Sequence, residues 1–367
     1  MKIAMLGHKR IPSREGGVEV VVEELAARMV ALGHDVTCYN RGNKKTGHDR
    51  KESYKGIRIR DVWTINARGA AAFSAAASAA FLTAFGHYDI VHFHAEGPCI
   101  MLWLPKLFGK RCIATIHGLD HQRAKWGNFA RQIILLGEKC AARYADEIIV
   151  LSKDVQKYFK EQYGRETILI PNGVGRPQIR EADIIRDKWG LEKDSYILFL
   201  GRLVPEKGAH YLIDAYERLS TQKKLVIAGG SSDTDQYVKE LLDRTKENEN
   251  IIFTDFVQGE LLDELYSNAY IYCLPSDLEG MPLTLLEAMS YGNCCLTSDI
   301  GECVDVVGDY ALHFTKGSVE MLAEQLGFLC KKPEIVEDYR RKSAEYICNR
   351  YDWGAVVEKT LEIYQHE

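Results

Sequence analysis

Short apolar runs alternate with helix-length amphipathic segments along the chain, and the alternation starts twice. In the first series, Lys2–Leu6, Asp35–Tyr39, Ile57–Val62, Asp89–His94, Arg111–His117 and Glu147–Leu151 read as strands. Gly17–Leu32 and the Ala-rich Gly69–Gly86 are among the helices between them. The turn-rich stretch Pro171-Asn-Gly-Val-Gly-Arg-Pro177 then interrupts the pattern. In the second series the strands are Tyr196–Leu200, Lys224–Ala228, Asn250–Phe253, Ala269–Leu274 and Asn293–Thr297, with helices between them and two more at the end. Strand and helix in strict alternation build right-handed βαβ units on a parallel sheet. The fold class is therefore α/β, with two doubly wound, Rossmann-like domains, and 367 residues suit two such cores. The expected divisions are a first domain over 1–172, a linker over 173–192, a second domain over 193–349, and a final helix over 350–367 that returns to the first domain.

With 46% apolar and 27% charged residues the chain is not a disordered one. Its net charge of −5 conceals a division. Residues 1–150 hold 22 Lys and Arg against 14 Asp and Glu, whereas residues 201–367 hold 16 against 30. Two surfaces of opposite sign suggest different partners, with nucleic acid or an anionic membrane as candidates for the basic half. The basic half has neither aromatic-interleaved repeats nor a nucleic-acid motif, so nucleic acid is set aside. The ten cysteines form no C-x-x-C pair and fit no zinc spacing; they read as small buried apolar groups in a reducing cytoplasm. The first apolar run is too short for a signal peptide. Gly69–Gly86 has eighteen uncharged residues, but they are mostly Ala and Ser. A spanning helix needs about 20 strongly apolar residues, so this segment reads as a packed interior helix.

In doubly wound sheets, ligands bind beyond the carboxyl ends of the strands. After the strand ending at Leu200 come Arg202 and Lys207, and a helix follows near Gly208. Two cations beside a helix N-terminus suit a phosphate, although a solvated basic loop would have the same composition. After the strand ending at Leu274, the loop carries Glu279, Gly280, Met281 and Pro282, and a helix opens at Leu283 and Thr284. Glu287 lies on that helix. Two carboxylates so spaced can share one crevice with the free N–H groups of the helix start and accept ligand hydroxyls. They could instead merely complement the helix dipole. In the first domain, Gly16 and Gly17 follow the first strand and would let a pyrophosphate approach the next helix. His117 ends another strand. Asp233-Thr-Asp235 has the D-x-D form that can hold a divalent ion, but its place before a helix reads as an N-capping loop.

These motifs together resemble glycosyltransferase family 4, retaining enzymes of the GT-B fold, in which two Rossmann-like domains face a central cleft. The resemblance rests on Gly16-Gly17, His117-Gly118, Gly201-Arg202 with Lys207-Gly208, and Glu279-x7-Glu287, and it runs over nearly the whole chain. The segments His8-Lys-Arg-Ile-Pro-Ser-Arg-Glu-Gly-Gly-Val-Glu19 and His117-Gly-Leu-Asp-His-Gln-Arg-Ala-Lys-Trp126 are most similar to the bacterial capsule and cell-wall rhamnosyltransferase branch. The resemblance implies that Arg202 and Lys207 bind the donor diphosphate and that Glu279 accepts hydroxyls of the donor sugar. Glu287 would hold the ribose, Gly16 and Gly17 would approach the diphosphate from the first domain, and His117 would contact the sugar near its reacting carbon. It further implies a nucleotide-diphosphate sugar donor, with dTDP-rhamnose the first expectation and UDP-glucose, UDP-GlcNAc or GDP-mannose the alternatives. The acceptor would be a lipid-linked saccharide. No metal or other cofactor is expected, because Arg202 and Lys207 supply the positive charge. A nucleotide-sugar-binding protein without catalysis is the alternative of another class.

The acceptor is expected against the first domain, where Lys9, Arg10, Arg14, Arg123 and Lys125 gather by motif position. Ala124–Tyr144 reads as a basic amphipathic helix, with Arg131, Lys139 and Arg143 among Trp126, Phe129, Ile133 and Leu136. Such a helix suits an anionic membrane surface, or equally an ordinary helix with a solvated basic face. The expected location is the cytoplasm, with peripheral contact to the inner face of the plasma membrane.

Overall fold

The computed structural model describes residues 1–42, 52–65, 67, 70–123 and 126–365. The chain forms two compact units, Met1–Asn172 together with Trp353–Glu367, and Gly173–Asp352. The first unit runs β1 (Lys2–Leu6), α1 (Gly17–Ala31), β2 (Asp35–Arg41), β3 (Ser53–Tyr54), β4 (Ile57–Val62), α2 (Ala70–Phe85), β5 (Ile90–His94), α3 (Trp103–Leu107), β6 (Arg111–Ile116), α4 (Asn128–Tyr144), β7 (Glu147–Val150), α5 (Lys153–Tyr163) and β8 (Ile168–Leu169). Its eight strands lie in the order β3-β4-β2-β1-β5-β6-β7-β8, and only the β3–β4 pair is antiparallel.

The second unit runs α6 (Ile184–Trp189), β9 (Tyr196–Leu200), α7 (Ala209–Tyr216), β10 (Lys224–Ala228), α8 (Asp235–Thr245), β11 (Ile251–Phe253), α9 (Glu260–Asn268), β12 (Ile271–Leu274), α10 (Leu283–Ser290), β13 (Cys295–Ser298), α11 (Gly301–Val307), β14 (Leu312–Phe314), α12 (Val319–Lys331) and α13 (Pro333–Arg350). Its sheet is wholly parallel, in the order β11-β10-β9-β12-β13-β14. The last helix, α14 (Trp353–Gln365), belongs to the first unit.

The central strands are apolar on both faces because helices cover both sides of a parallel sheet. Ile3, Ala4, Met5 and Leu6 of β1 are fully buried, as are Ile197, Leu198 and Phe199 of β9. Strand order reverses between β1 and β5 in the first sheet and between β9 and β12 in the second. These switch points are where loops diverge and leave a crevice. The loops after β9 and β12 carry the predicted phosphate and carboxylate residues, so the topology sets them side by side.

The structure differs from the sequence reading in three places. The α2 helix is not interior all round. Ala75, Ala76, Ala79, Ala80 and Ala84 are buried, while Phe73, Phe81, Leu82 and Phe85 are exposed. Small residues let the helix axis approach its neighbours, which leaves the large rings on the outer face. Phe81, Phe85 and Phe108 gather there, with ring centroids 4.9 and 4.5 Å apart. Second, residues 173–192 pack within the second unit. Ile185 and Leu191 are buried, and Glu264 accepts the N–H groups of Asp183 and Ile185. Third, α4 starts at Asn128 rather than Ala124, which lies outside the described residues, as does Gly69 at the start of the Ala-rich segment. The α14 helix is fastened by Tyr364, whose hydroxyl lies 2.6 Å from His92 Nδ1, and by Arg111, which donates to the Ile363 carbonyl.

Candidate functional site

The loops after β9 and β12 meet at the switch point of the second sheet. Gly208 lies between Lys207 and α7 with φ +69°. A side chain there would strike the Pro275 carbonyl oxygen at 2.0 Å, so only glycine permits this approach. The approach brings Lys207 to Glu279, seventy-two residues later. Lys207 Nζ donates to both Glu279 oxygens, at 2.6 and 2.7 Å, and Ser276 Oγ donates to Oε1 at 2.6 Å. Both charged side chains are nearly buried. A bidentate, charge-assisted contact of this kind is rigid as well as strong. The Asp277 N–H donates to the Glu206 carbonyl and Tyr211 donates to Asp277, so the two loops are also joined through backbone and ring.

Beyond Glu279, Gly280 leads to Met281 and Pro282, both buried, and α10 begins at Leu283. No side chain caps this helix, so its first N–H groups keep the partial positive charge that attracts an anion. Thr284 accepts from the Tyr272 hydroxyl at 2.8 Å, and Glu287 accepts from Tyr266 at 3.3 Å. Arg202 is half-buried in the same β9 loop, and Leu203 and Val204 beside it are fully buried. The structure therefore brings together Arg202, Lys207, Glu279, Gly280, Met281, Pro282, Leu283, Thr284 and Glu287 on two adjacent loops and one helix start. It alters one part of the expectation. Lys207 is not a free cation on a solvated loop, and Glu279 is not a free acceptor; each already holds the other. Ser276 was missed, although it precedes Glu279 by three residues in the same turn. Glu206 was missed too; it is buried, and neither of its carboxylate oxygens has a hydrogen-bond partner.

In Asp233-Thr-Asp235 both carboxylate residues are exposed, and Asp235 opens α8. The Thr234 side chain donates to the Leu203 carbonyl at 2.6 Å and does not cap α8. Its hydroxyl thus ties the β10 loop to the β9 loop.

In the first unit, Gly16 occupies the N-cap of α1 and Gly17 opens the helix, again without a side-chain cap. A side chain on Gly16 would meet Glu19 Oε2 at 2.3 Å. Glu19 is engaged with the Lys9 N–H at 2.8 Å. His117 follows β6, is half-buried, and stands beside the buried imidazoles of His94 and His92. Its Nε2 is hydrogen-bonded to His94 Nδ1 at 3.1 Å, and the His94 ring lies 4.1 Å from the His92 ring, tilted by 31°. Burial pushes His117 down to about 4 despite the opposing pull of Asp120 and Glu19. The ring is therefore neutral near pH 7, able to hydrogen-bond but carrying no charge. His94 was missed, although His92-Phe-His94 spaces two imidazoles on one face of a strand.

Of the predicted acceptor cations, Lys9 and Arg14 are exposed and Arg10 is half-buried. Arg123 is engaged, its Nε donating to Asp120 Oδ1 at 2.6 Å. Lys125 lies outside the described residues. All ten cysteines are free thiols and seven are buried, which agrees with packing rather than ligation. Among the described residues no helix is long and apolar enough to cross a membrane.

Two family models match the chain. One, described as Glycosyl transferases group 1, matches residues 181–346; the other, Glycosyltransferase Family 4, matches residues 15–175. The alpha-maltose-1-phosphate synthase of Mycolicibacterium smegmatis is 25% identical over 393 residues, covering 100% of this chain and 99% of that protein. Among solved structures, the sucrose-phosphate synthase of Thermosynechococcus elongatus aligns with a TM-score of 0.84 at 21% identity, over 99% of this chain and 98% of that one. The HepE protein of Anabaena in complex with UDP-glucose aligns with a TM-score of 0.82 at 18% identity, over 99% of each chain. Both structures show the same two-domain GT-B fold.

Proposed function

The chain belongs to glycosyltransferase family 4, and from that premise we propose that it transfers a sugar, with retention of configuration, from a nucleotide-diphosphate donor to a lipid-linked saccharide. The observation that carries this reading is the buried Lys207–Glu279 pair beside the uncapped start of α10. The donor diphosphate lies along this helix start and Arg202. As the bond from the sugar to the diphosphate breaks, negative charge grows on the leaving phosphate. Arg202, Lys207 and the α10 N–H groups are fixed in advance to stabilise it. Glu287 takes the ribose hydroxyls, and Glu279 orients hydroxyls of the sugar. This arrangement requires no metal ion at the phosphate.

Glu279 is not the nucleophile of a double displacement. Both its oxygens are held by Lys207 and one also by Ser276, so the carboxylate is committed to recognition. The incoming hydroxyl attacks from the side the diphosphate leaves, and a donor phosphate oxygen takes its proton. Rhamnose from dTDP-rhamnose, for capsule or cell-surface polysaccharide, is the first reading of the donor; it follows the likeness of His8–Glu19 and His117–Trp126 to that branch. The glucose chemistry in the names of the relatives supports UDP-glucose as the second. On the first unit, exposed Phe129 and Leu136 of α4 lie among exposed Arg131, Lys139 and Arg143. They support a peripheral seat on an anionic bilayer, where a lipid-linked acceptor resides.

One experiment tests the assignment. The protein is incubated with dTDP-rhamnose, UDP-glucose, UDP-GlcNAc and GDP-mannose while its melting is followed, and both products and intact protein are weighed by mass spectrometry. The reading expects stabilisation by one donor, released nucleoside diphosphate, a retained anomer and an unmodified protein. Stabilisation without turnover would establish a binding protein instead. A sugar adduct on the native chain that Glu279→Gln lacks would overturn the front-face mechanism.

A further inference from the structure

A second cluster lies in the first unit, outside the residues assigned above. Glu96 follows β5, His121 stands on a short turn after β6, and Glu138 is on α4. They are brought together by Gly137. A side chain at that position would meet the Glu96 carbonyl oxygen at 2.1 Å, so α4 lies directly against the Glu96 backbone. Both carboxylates are fully buried. Each has one oxygen committed to the protein. Glu96 Oε2 accepts the Asp120 N–H at 2.7 Å, and Glu138 Oε2 accepts the hydroxyls of Tyr158 and Tyr163, both at 2.9 Å. The other oxygens point inward. Glu96 Oε1 has no partner, and Glu138 Oε1 lies 2.5 Å from His121 Nδ1. One ligand atom from each of the three residues falls within 4.8 Å of the others.

Two buried carboxylates share one imidazole here, and Glu96 Oε1 is left unpartnered; a buried carboxylate oxygen without a partner is costly. We propose that Glu96, His121 and Glu138 bind a divalent transition-metal cation of the zinc class. One imidazole nitrogen with two monodentate carboxylate oxygens is a three-ligand set suited to Zn2+ and poorly suited to Mg2+ or Ca2+, which favour all-oxygen shells. Tyr158 and Tyr163 orient Glu138 from behind, and the Asp120 N–H orients Glu96, the outer support that metal sites need. Zinc bonds of about 2.1 Å require His121 to yield by about 1 Å from Glu138. Its side chain stands on a short turn and is slightly exposed, which gives the ion an entry. The bound ion pins the segment that carries Asp120 and Arg123 to α4. It takes no part at the phosphate.

The test uses the full chain, stripped with chelator and then dialysed against Zn2+ or Mg2+. The proposal expects about one Zn2+ retained per chain, a higher melting temperature with Zn2+, and neither effect with Mg2+. Glu96→Gln preserves the acceptor for Asp120 and should abolish both effects. Tyr163→Phe should weaken binding about 10- to 100-fold. Co2+ bound to the native chain should show visible d–d absorption that added Zn2+ removes, a readout that needs no variant to fold. Zn2+ retained equally by Glu96→Gln, or no Zn2+ retained and no Co2+ spectrum, would overturn the proposal; the second result would mean that the two carboxylates share a proton instead.

Discussion

Lys207 and Glu279 serve stability and recognition at once, and the two roles can be separated. Removing one member of a buried ion pair strands the other, which costs about 3–5 kcal/mol, whereas replacing both with apolar residues is often neutral. Lys207→Met alone should therefore lower stability by that amount, and Lys207→Met with Glu279→Leu should restore most of it. Neither variant should show stabilisation by a nucleotide sugar. Denaturant titrations with and without donor measure both effects; a double variant that still gains stability from donor would refute the assignment of this pair. The histidines act through pH. Burial lowers His8 to about 4 and His92 to about 3, so at falling pH the unfolded chain takes up protons first. Their contribution is complete above about pH 6.5 and is lost as pH falls toward 4 and then 3, at about 1.4 kcal/mol per pH unit for each group. Denaturation midpoints should drop between pH 6.5 and 5, and His92→Gln should reduce that slope.

At the scale of elements, α2 and α4 were both legible as helices, but not the use of their faces. The uncharged, Ala- and Ser-rich composition of α2 suggested burial all round, because apolar composition alone cannot say which side of a helix has a neighbour. In α4 the exposed residues Phe129, Leu136, Lys139 and Arg143 recur along one side of the helix, at intervals of seven, three and four. These side chains project outward, so Phe129→Glu with Leu136→Glu should change stability by less than about 0.5 kcal/mol each. The native chain should float with anionic liposomes and not with neutral ones, and the double variant with neither. Equal absence of the native chain from both would end the membrane reading.

At the scale of the whole molecule, two units with separate cores predict two unfolding transitions. One should rise with nucleotide sugar by mass action, and it should be that of the second unit. The first unit is completed by α14, through Tyr364 on His92 and the Ile363 carbonyl on Arg111. Truncation after Asp352 should lower its transition and leave the other in place, a result calorimetry can read directly. A single unchanged transition would show that α14 is dispensable.

The division of labour between sequence and structure follows from the range of the forces involved. Hydrophobic period, turn residues and strand-end motifs are local, so the chain by itself determined two parallel-sheet domains and placed Arg202, Lys207 and Glu279 in loops after strands and Glu287 on the helix that follows. The charge division was also plain, a basic first half and an acidic second half. What the tertiary structure decided depends on contacts between distant segments. Gly208 against Pro275 turns a cation and a carboxylate into one buried pair. Gly137 against Glu96 gathers three possible ligands from three elements. The β6 and β5 strand ends align His117 on His94. None of these contacts has a spacing in the sequence, because each is set by how closely two backbones approach.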